Sequence, residues 1–564
     1  MAVLSEYNWL LAIITIAFCF SAFGNGANDV ANSYATSVAA RTLTMLQAGF
    51  LSIITEFVGA VALGARVTST IKNGIISIDR FDDQPGVLML AMTCAEIGSA
   101  VWLMVATRFG LPVSTTQTVV GALIGVGFAS KAPIKWAWTS GSVSQVAASW
   151  AIAPAIAGAM AALIFATLKY SVLERKDPLR MAMRLIPFYL AFTGAMLALF
   201  IVVEAPTAPS LEEFGAGKAT GIVLGVFFGV LFIAYVFFMP YLHRRLILKD
   251  ARLKFWHIPL GPLLRRKDPW LYFPSDANGD IVIDHYESAR TAHYDGDSPE
   301  LRPKNGHGKK HTGDILPVDV EPNPPCPLPG AKPKRFMGPQ ERFLSPTAHL
   351  RLADPRRIWS FTKFVVLQGV TRDCVSHNSS RLEKIHGYAT QYDNRVEHIW
   401  TYPQVASAML MSIAHGSNDV ANAVGPWSAT YSTYQAGIVA TRSPTPVWML
   451  VVAGVLLGLG FWVFGYHIIR SLGNKITQLS PTRGFSMELG AAITVLLASR
   501  LGLPVSTTQC LTGATVGVAL MNYNVRAVNW RQVLFIFSGW LLTLPVAGLI
   551  SGCLMVAALN TPHF

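Results

Sequence analysis

Two short phrases occur twice in this chain, in the same order and at almost the same separation. GANDVANS at 26–33 returns as GSNDVANA at 416–423, and GLPVSTTQ is identical at 110–117 and 502–509. The stretch from Asp29 to Pro112 is two residues shorter than that from Asp419 to Pro504, so two halves share one plan. A polar motif duplicated inside an apolar chain points to a membrane carrier whose site lies at the repeat interface.

Composition agrees with the membrane class. Of 564 residues, 52% are hydrophobic and 14% charged, against about 25% charged in soluble domains, and the mean hydropathy is +0.41. Twelve apolar runs approach the ~20 residues that cross a bilayer. They lie near 7–25, 45–65, 87–107, 113–129, 142–168, 183–204, 218–241, 403–424, 446–470, 485–500, 505–521 and 531–558. Gly- and Pro-interrupted stretches near 110 and 502 are candidate half-helix breaks. The first run lacks a basic leader and is read as a retained helix. The six cysteines have no CxxC or other metal-ligand spacing, and no nucleophile–base constellation marks an enzyme.

The expected fold class is an all-α polytopic membrane protein of about twelve spans in two repeats. Residues 1–242 form one hydrophobic half and 402–564 the other. Between them, 243–401 is rich in Pro, Gly, Lys and Asp, as in GHGKKHTGD and VEPNPPCPLPGAKPK, which predicts a partly disordered loop without its own core. Residues 358–370 carry apolar side chains at helical spacing, suited to the membrane surface or to packing under the domain. The net charge of +13 is concentrated locally, with eight Lys or Arg against Asp250 alone between Arg244 and Lys267. Basic residues beside a span favour the cytoplasmic side, and nucleic acid is not an expected partner of so basic a stretch beside a membrane. Seven crossings then separate the two motif spans, so the repeat is inverted and both termini lie outside. The sequon at Asn378 would stay unmodified.

The motifs carry their own chemistry. Asn28–Asp29 and Asn418–Asp419 follow apolar stretches and sit behind Gly24, Gly26 and Gly416, where glycine would permit a broken helix. A buried Asp in a membrane is a functional candidate by default. The competing reading, helix capping by Asn and Asp, explains one copy better than two. In LPVSTTQ, Pro suits a first helical turn, and Ser114, Thr115, Thr116, Ser506, Thr507 and Thr508 would line helix N-termini that favour anions. Neither motif contains Lys or Arg. A carboxylate about 4 Å from an anion is repelled by roughly 4 kcal/mol at an effective dielectric of 20, so aspartates beside an oxyanion need protons or hard cations between them. That logic describes a cation-coupled oxyanion symporter. Three intramembrane glutamates add candidates: Glu96 and Glu488 are repeat partners, and Glu56 has none. Arg108 and Arg500 are read as interface anchors.

At these motifs the chain resembles the inorganic phosphate transporter (PiT) family, whose hallmark is a GANDVANA-like signature in each half. The large loop, and Gln117 and Gln509 where animal relatives often carry His, look like the fungal sodium/phosphate symporters of that family. The resemblance implies twelve spans, outside termini, a homodimer in the plasma membrane, and phosphate symported with sodium. It places phosphate among Asn28, Asp29, Ser114, Thr115, Thr116, Asn418, Asp419, Ser506, Thr507 and Thr508. Sodium would take Asp29, Asn32, Asp419, Asn422, Glu56, Glu96 and Glu488, with Glu56 and Glu488 favoured over Glu96 for coupling. A proton-coupled phosphate symporter and a non-transporting phosphate sensor are the alternatives.

Overall fold

The computed structural model describes residues 4–64, 75–138, 142–204, 215–269, 282–286, 337–375, 379–439, 444–501 and 503–561. Asn378 and most of the connector between the halves lie outside these residues. The described chain is helical, with one isolated β-bridge between Ile76 and Ile134.

In the first half, α1 (Asn8–Asn25) runs through a π-turn at Gly26–Val30 into α2 (Ala31–Ala39). α3 (Met45–Leu63) starts on a capping box between Thr44 and Gln47. α4 (Pro85–Arg108), α5 (Thr115–Ser130) and α6 (Val143–Leu168) complete the first repeat. α7 (Pro178–Glu204) and α8 (Ala216–Ile233) follow, and α8 continues through further turns to Ile247. The second repeat is α9 (Asn394–Ala436), α10 (Val447–Phe464), α11 (Pro481–Arg500), α12 (Thr507–Leu520) and α13 (Trp530–Asn560). The expected start of the second half at 402 falls inside α9, which Asp393 caps by accepting the Arg395 N–H. The polar first turns of this helix hid its start from hydropathy.

Among the described residues, eight helical segments are long and apolar enough to cross a membrane. The expected runs near 113–129, 403–424, 485–500 and 505–521 are helical as well, as α5, α9, α11 and α12. These four are shorter or more polar because their surfaces face protein. A helix shielded by neighbours has no need of an apolar surface all round.

The two repeats interlock. α1 packs on α4 as α9 packs on α11, while α1 also crosses to α10 and α9 to α3. α5 lies along α13, and α12 along α6. These last contacts are backbone-close, since a Cβ added at Gly517 would sit 2.3 Å from Gly158 O, in keeping with small-residue packing between membrane helices. α7 and α8 have no repeat counterpart and pack on each other, with α7 also against α9.

The described connector residues use the core of the helices instead of building one. Leu253 and Leu264 join the buried cluster around Tyr241 and Leu242. Tyr286 is fully buried and donates to Glu397 Oε1 at 2.8 Å, and His285 Nδ1 lies 2.9 Å from Ala40 O. Asn394 bonds Asp284 through its amide and the His285 N–H through its oxygen. The connector helix Pro355–Leu367 leaves Ile358, Trp359, Phe361, Val365 and Val366 exposed.

Candidate functional site

The helix breaks fall at LPVSTTQ. α4 and α11 end before it and α5 and α12 begin within it, leaving Leu111–Ser114 and Leu503–Ser506 non-helical. The Ser114 hydroxyl accepts the Gln117 N–H at 3.2 Å, and the Ser506 hydroxyl accepts the Gln509 N–H at 3.3 Å. Both serines are therefore helix caps, and the threonines after them face the motif aspartates.

NDVAN does not break its helix, contrary to the expectation from its glycines. The second copy lies inside uninterrupted α9, and the first shows only the π-turn. The glycines permit close packing instead. A Cβ at Gly26 would fall 1.9 Å from Leu457 O, and one at Gly416 would fall 2.8 Å from Glu56 O.

All four motif segments converge. Asp29 Oδ2 accepts the Thr115 N–H at 3.2 Å and hydroxyl at 2.7 Å, and Oδ1 accepts the Thr508 hydroxyl at 2.6 Å. Asp419 Oδ2 accepts the Thr507 hydroxyl at 2.9 Å. The amides four positions into each NDVAN cross between repeats. Asn32 donates to Thr508 Oγ1 at 2.5 Å, and Asn422 donates to Thr115 Oγ1 at 3.0 Å and Thr116 Oγ1 at 3.2 Å. Thr116 in turn donates to Val505 O, and Thr508 Oγ1, whose proton goes to Asp29, lies 3.2 Å from Val113 O. Asn28 and Asn418 hold the non-helical segments. Asn28 accepts the Val113 N–H at 3.0 Å, and Asn418 donates to Val505 O at 2.9 Å.

The glutamates divide. Glu56 Oε1 accepts the Ser412 hydroxyl at 2.6 Å, and Glu56 Oε2 lies 2.8 Å from His415 Nδ1. The other imidazole nitrogen lies 3.1 Å from Asp419 Oδ2, so His415 links Glu56 to the centre. Glu488 sits in its own nest. Its Oε1 accepts Thr36 and Ser37 hydroxyls at 2.5 and 2.7 Å and the Gln404 amide at 3.4 Å, and its Oε2 accepts the Ser407 hydroxyl at 2.6 Å. Glu96 is equally buried, yet neither carboxyl oxygen has a hydrogen bond of normal geometry, with Ser21 the hydroxyl beside it. The structure thus brings Glu56 to the aspartates and leaves Glu96 and Glu488 in separate surroundings.

His415, Ser412, Ser407, Gln404, Thr36 and Ser37 were missed by sequence reasoning. One signal was available for His415, which occupies the repeat position of Asn25, directly before the motif glycine.

Hard-cation chemistry fits the oxygen donors. One carboxylate oxygen each from Asp29 and Asp419 lies within 4.8 Å of the other and of a ring nitrogen of His415, whose imidazole lies between carboxylates. The Asn32 and Asn422 side-chain oxygens beside the aspartates are buried without a hydrogen-bond partner, and such oxygens suit hard cations. Oxyanion chemistry fits the two helix N-termini and their threonines.

A helical membrane protein whose interlocked repeats meet in such a cluster is a carrier of small ions. The chain belongs to the phosphate transporter family, which residues 25–551 match. It is therefore a multi-pass transporter and not an enzyme. It is 40% identical to the phosphate-repressible phosphate permease pho-4 of Neurospora crassa, over 100% of this chain and 99% of that one. It is 30% identical to sodium-dependent phosphate transporter 1-B of Danio rerio, over 98% and 96%. A solved structure of a sodium-dependent phosphate transporter shares the fold, with a TM-score of 0.64 and 24% identity, over 98% of this chain and 100% of that one.

Proposed function

We propose that this protein imports inorganic phosphate by symport with sodium, alternating access around the four converging motifs. The observation that carries the reading is the charge balance of the centre. Asp29 and Asp419 lie beside two helix N-termini suited to an oxyanion, and neither motif supplies Lys or Arg. Phosphate beside two carboxylates requires cations, and the buried amide oxygens of Asn32 and Asn422, whose amides bond the motif aspartates and threonines, offer neutral ligands for them. The name of the Danio rerio relative supports sodium as that cation.

In this reading phosphate contacts Thr115, Thr116, Thr507 and Thr508, with Asn28, Asn418, Ser114 and Ser506 shaping the segments that present them. Sodium bridges Asp29 and Asp419, joined by Asn32 and Asn422, with Glu56 acting through His415. Glu488 contributes to the conformational cycle. The repeats are inverted, the connector is cytoplasmic, the termini lie outside, and the carrier is a plasma-membrane homodimer. The basic run ending α8 supports that orientation.

The imidazole between Glu56 and Asp419 favours proton coupling as the second reading. Purified protein in liposomes, given labelled phosphate and either a sodium or a proton gradient, separates the two. Uptake driven by inward sodium at equal pH is expected. Uptake driven only by an inward proton gradient assigns the alternative, and phosphate binding without uptake under either gradient leaves a sensor.

A further inference from the structure

The basic run after α8 has no part in the transport centre, but it folds into a definite shape. Among the described candidate spans Ala216–Ile247 is the least buried, with only 6% of its most apolar window covered by the rest of the protein, which leaves it to face lipid. At its end lies a cavity of about 480 Å³ whose polar lining is His243, Arg244, Arg265, Arg266 and Lys267. Arg244 is buried and consumed internally. Its guanidinium donates to Arg266 O at 3.0 Å and Lys267 O at 3.4 Å and pairs with Asp250 at 3.1 Å, so it staples the cavity wall. Asp250, the one acidic residue between Arg244 and Lys267, is held again by Arg252 at 2.9 Å. Among the described residues no carboxylate lines the cavity; His243, Arg265, Arg266 and Lys267 are solvent-exposed at it, and Arg265 is steadied there by donating to Tyr235 O at 3.0 Å.

The surroundings identify the ligand. Leu248 lines the cavity, and Ile247, Leu248, Phe255 and Trp256 of the same basic stretch are 44%, 59%, 61% and 55% exposed. Aromatic and aliphatic side chains turned outward among basic residues, at the end of a lipid-facing span, form an interfacial belt. A cationic cavity at that depth meets lipid phosphates. We propose that this cavity binds the headgroup of an anionic phospholipid. Arg265, Arg266 and Lys267 surround the phosphate, and the acyl chains leave past Leu248 along α8. Free phosphate would satisfy the cations equally, but it gives no reason for the apolar rim.

Native mass spectrometry of the full-length protein in detergent tests this with short-chain phosphatidylinositol 4-phosphate, phosphatidylserine, phosphatidylcholine and inorganic phosphate as probes. One saturable site for the two anionic lipids and none for phosphatidylcholine are expected. Arg265→Gln/Arg266→Gln/Lys267→Gln should weaken binding on the order of a hundredfold, and Lys267→Gln alone about fivefold, following the effect of each basic residue near an anionic surface. Unchanged lipid binding in both variants, equal binding of phosphatidylcholine, or displacement of the lipid by equimolar inorganic phosphate would overturn the assignment. Phosphate uptake by the triple variant in phosphatidylcholine vesicles checks its fold. If the triple variant does not fold, the Lys267→Gln result decides. The lipid count in the spectrum is independent of transport, so this inference and the transport reading fail separately.

Discussion

Glu96 and Glu488 occupy the same place in the two repeats and have opposite surroundings. Glu488 takes hydrogen bonds from Thr36, Ser37, Gln404 and Ser407, which come from both motif helices. Counted from the motif aspartates, the equivalent positions around Glu96 are Pro426, Trp427, Ile14 and Ala17. None of these side chains can donate to a carboxylate except the Trp427 indole, and that donates to Thr15 at 3.1 Å. The same asymmetry appears one turn before each aspartate, where His415 links two carboxylates and Asn25 donates to the Asp419 carbonyl. Duplication kept the carboxylates and the helix breaks, whereas the donors around them diverged. Symmetry supplies the frame of the site, and asymmetry distributes the tasks within it.

The largest expected effect lies where the repeats remain alike. Asp29→Asn and Asp419→Asn keep shape, remove charge, and turn an acceptor toward Thr115, Thr508 or Thr507 into an amide group. Each should reduce sodium-driven phosphate uptake at least a hundredfold at matched surface expression, since a lost charge-assisted bond in a buried site costs about 3 kcal/mol or more. Wild-type uptake by either variant would show that the carboxylates only tie the helix breaks.

Divergence should show at the glutamates, with a smaller effect. Glu488→Gln turns an NH2 group toward hydroxyls that already donate, so at least one donor is left unpaired at about 1–3 kcal/mol. Net uptake should fall roughly tenfold or more. Glu96→Gln removes no hydrogen bond of normal geometry, and its uptake should stay within about twofold of wild type. Equal losses in the two variants would break the comparison, because the nest would then explain nothing.

Much of this frame was legible in the sequence. The duplicated NDVAN and LPVSTTQ phrases located the convergent centre, and Pro112 and Pro504 marked the helix breaks. Buried α9, α11 and α12 were found as apolar runs, although the polar start of α9 was not. The nest of Glu488 was illegible because Thr36 and Ser37 come from one half and Gln404 and Ser407 from the other. The link from Glu56 through His415 needs α3 and α9 packed together, which no local pattern encodes. The glycines before NDVAN were misread because a glycine for close approach and a glycine for a break look alike in one sequence.

The smallest effect concerns a third asymmetry, outside the repeats. Asp284, His285 and Tyr286 dock on the start of α9 through Asn394 and Glu397, and on the end of the first motif helix through Ala40. Glu397 also accepts the Thr482 N–H and hydroxyl, each at 2.9 Å, at the start of α11, which carries Glu488. Tyr286→Phe keeps the buried ring and removes one hydroxyl donor. Glu397 retains its two Thr482 bonds, so the loss should be near 1 kcal/mol, about a fivefold rise in local opening. Chymotrypsin's hydrophobic pocket accepts Tyr and Phe side chains, which keeps residue 286 a comparable substrate in both proteins. Under limiting protease, cleavage after 286 should quicken about fivefold in Tyr286→Phe while phosphate uptake stays within twofold. An unchanged cleavage rate would mean that the ring and the His285 and Asn394 bonds hold this segment without the hydroxyl. A parallel fall in uptake would tie the docked segment to the transport cycle through Glu397 and α11.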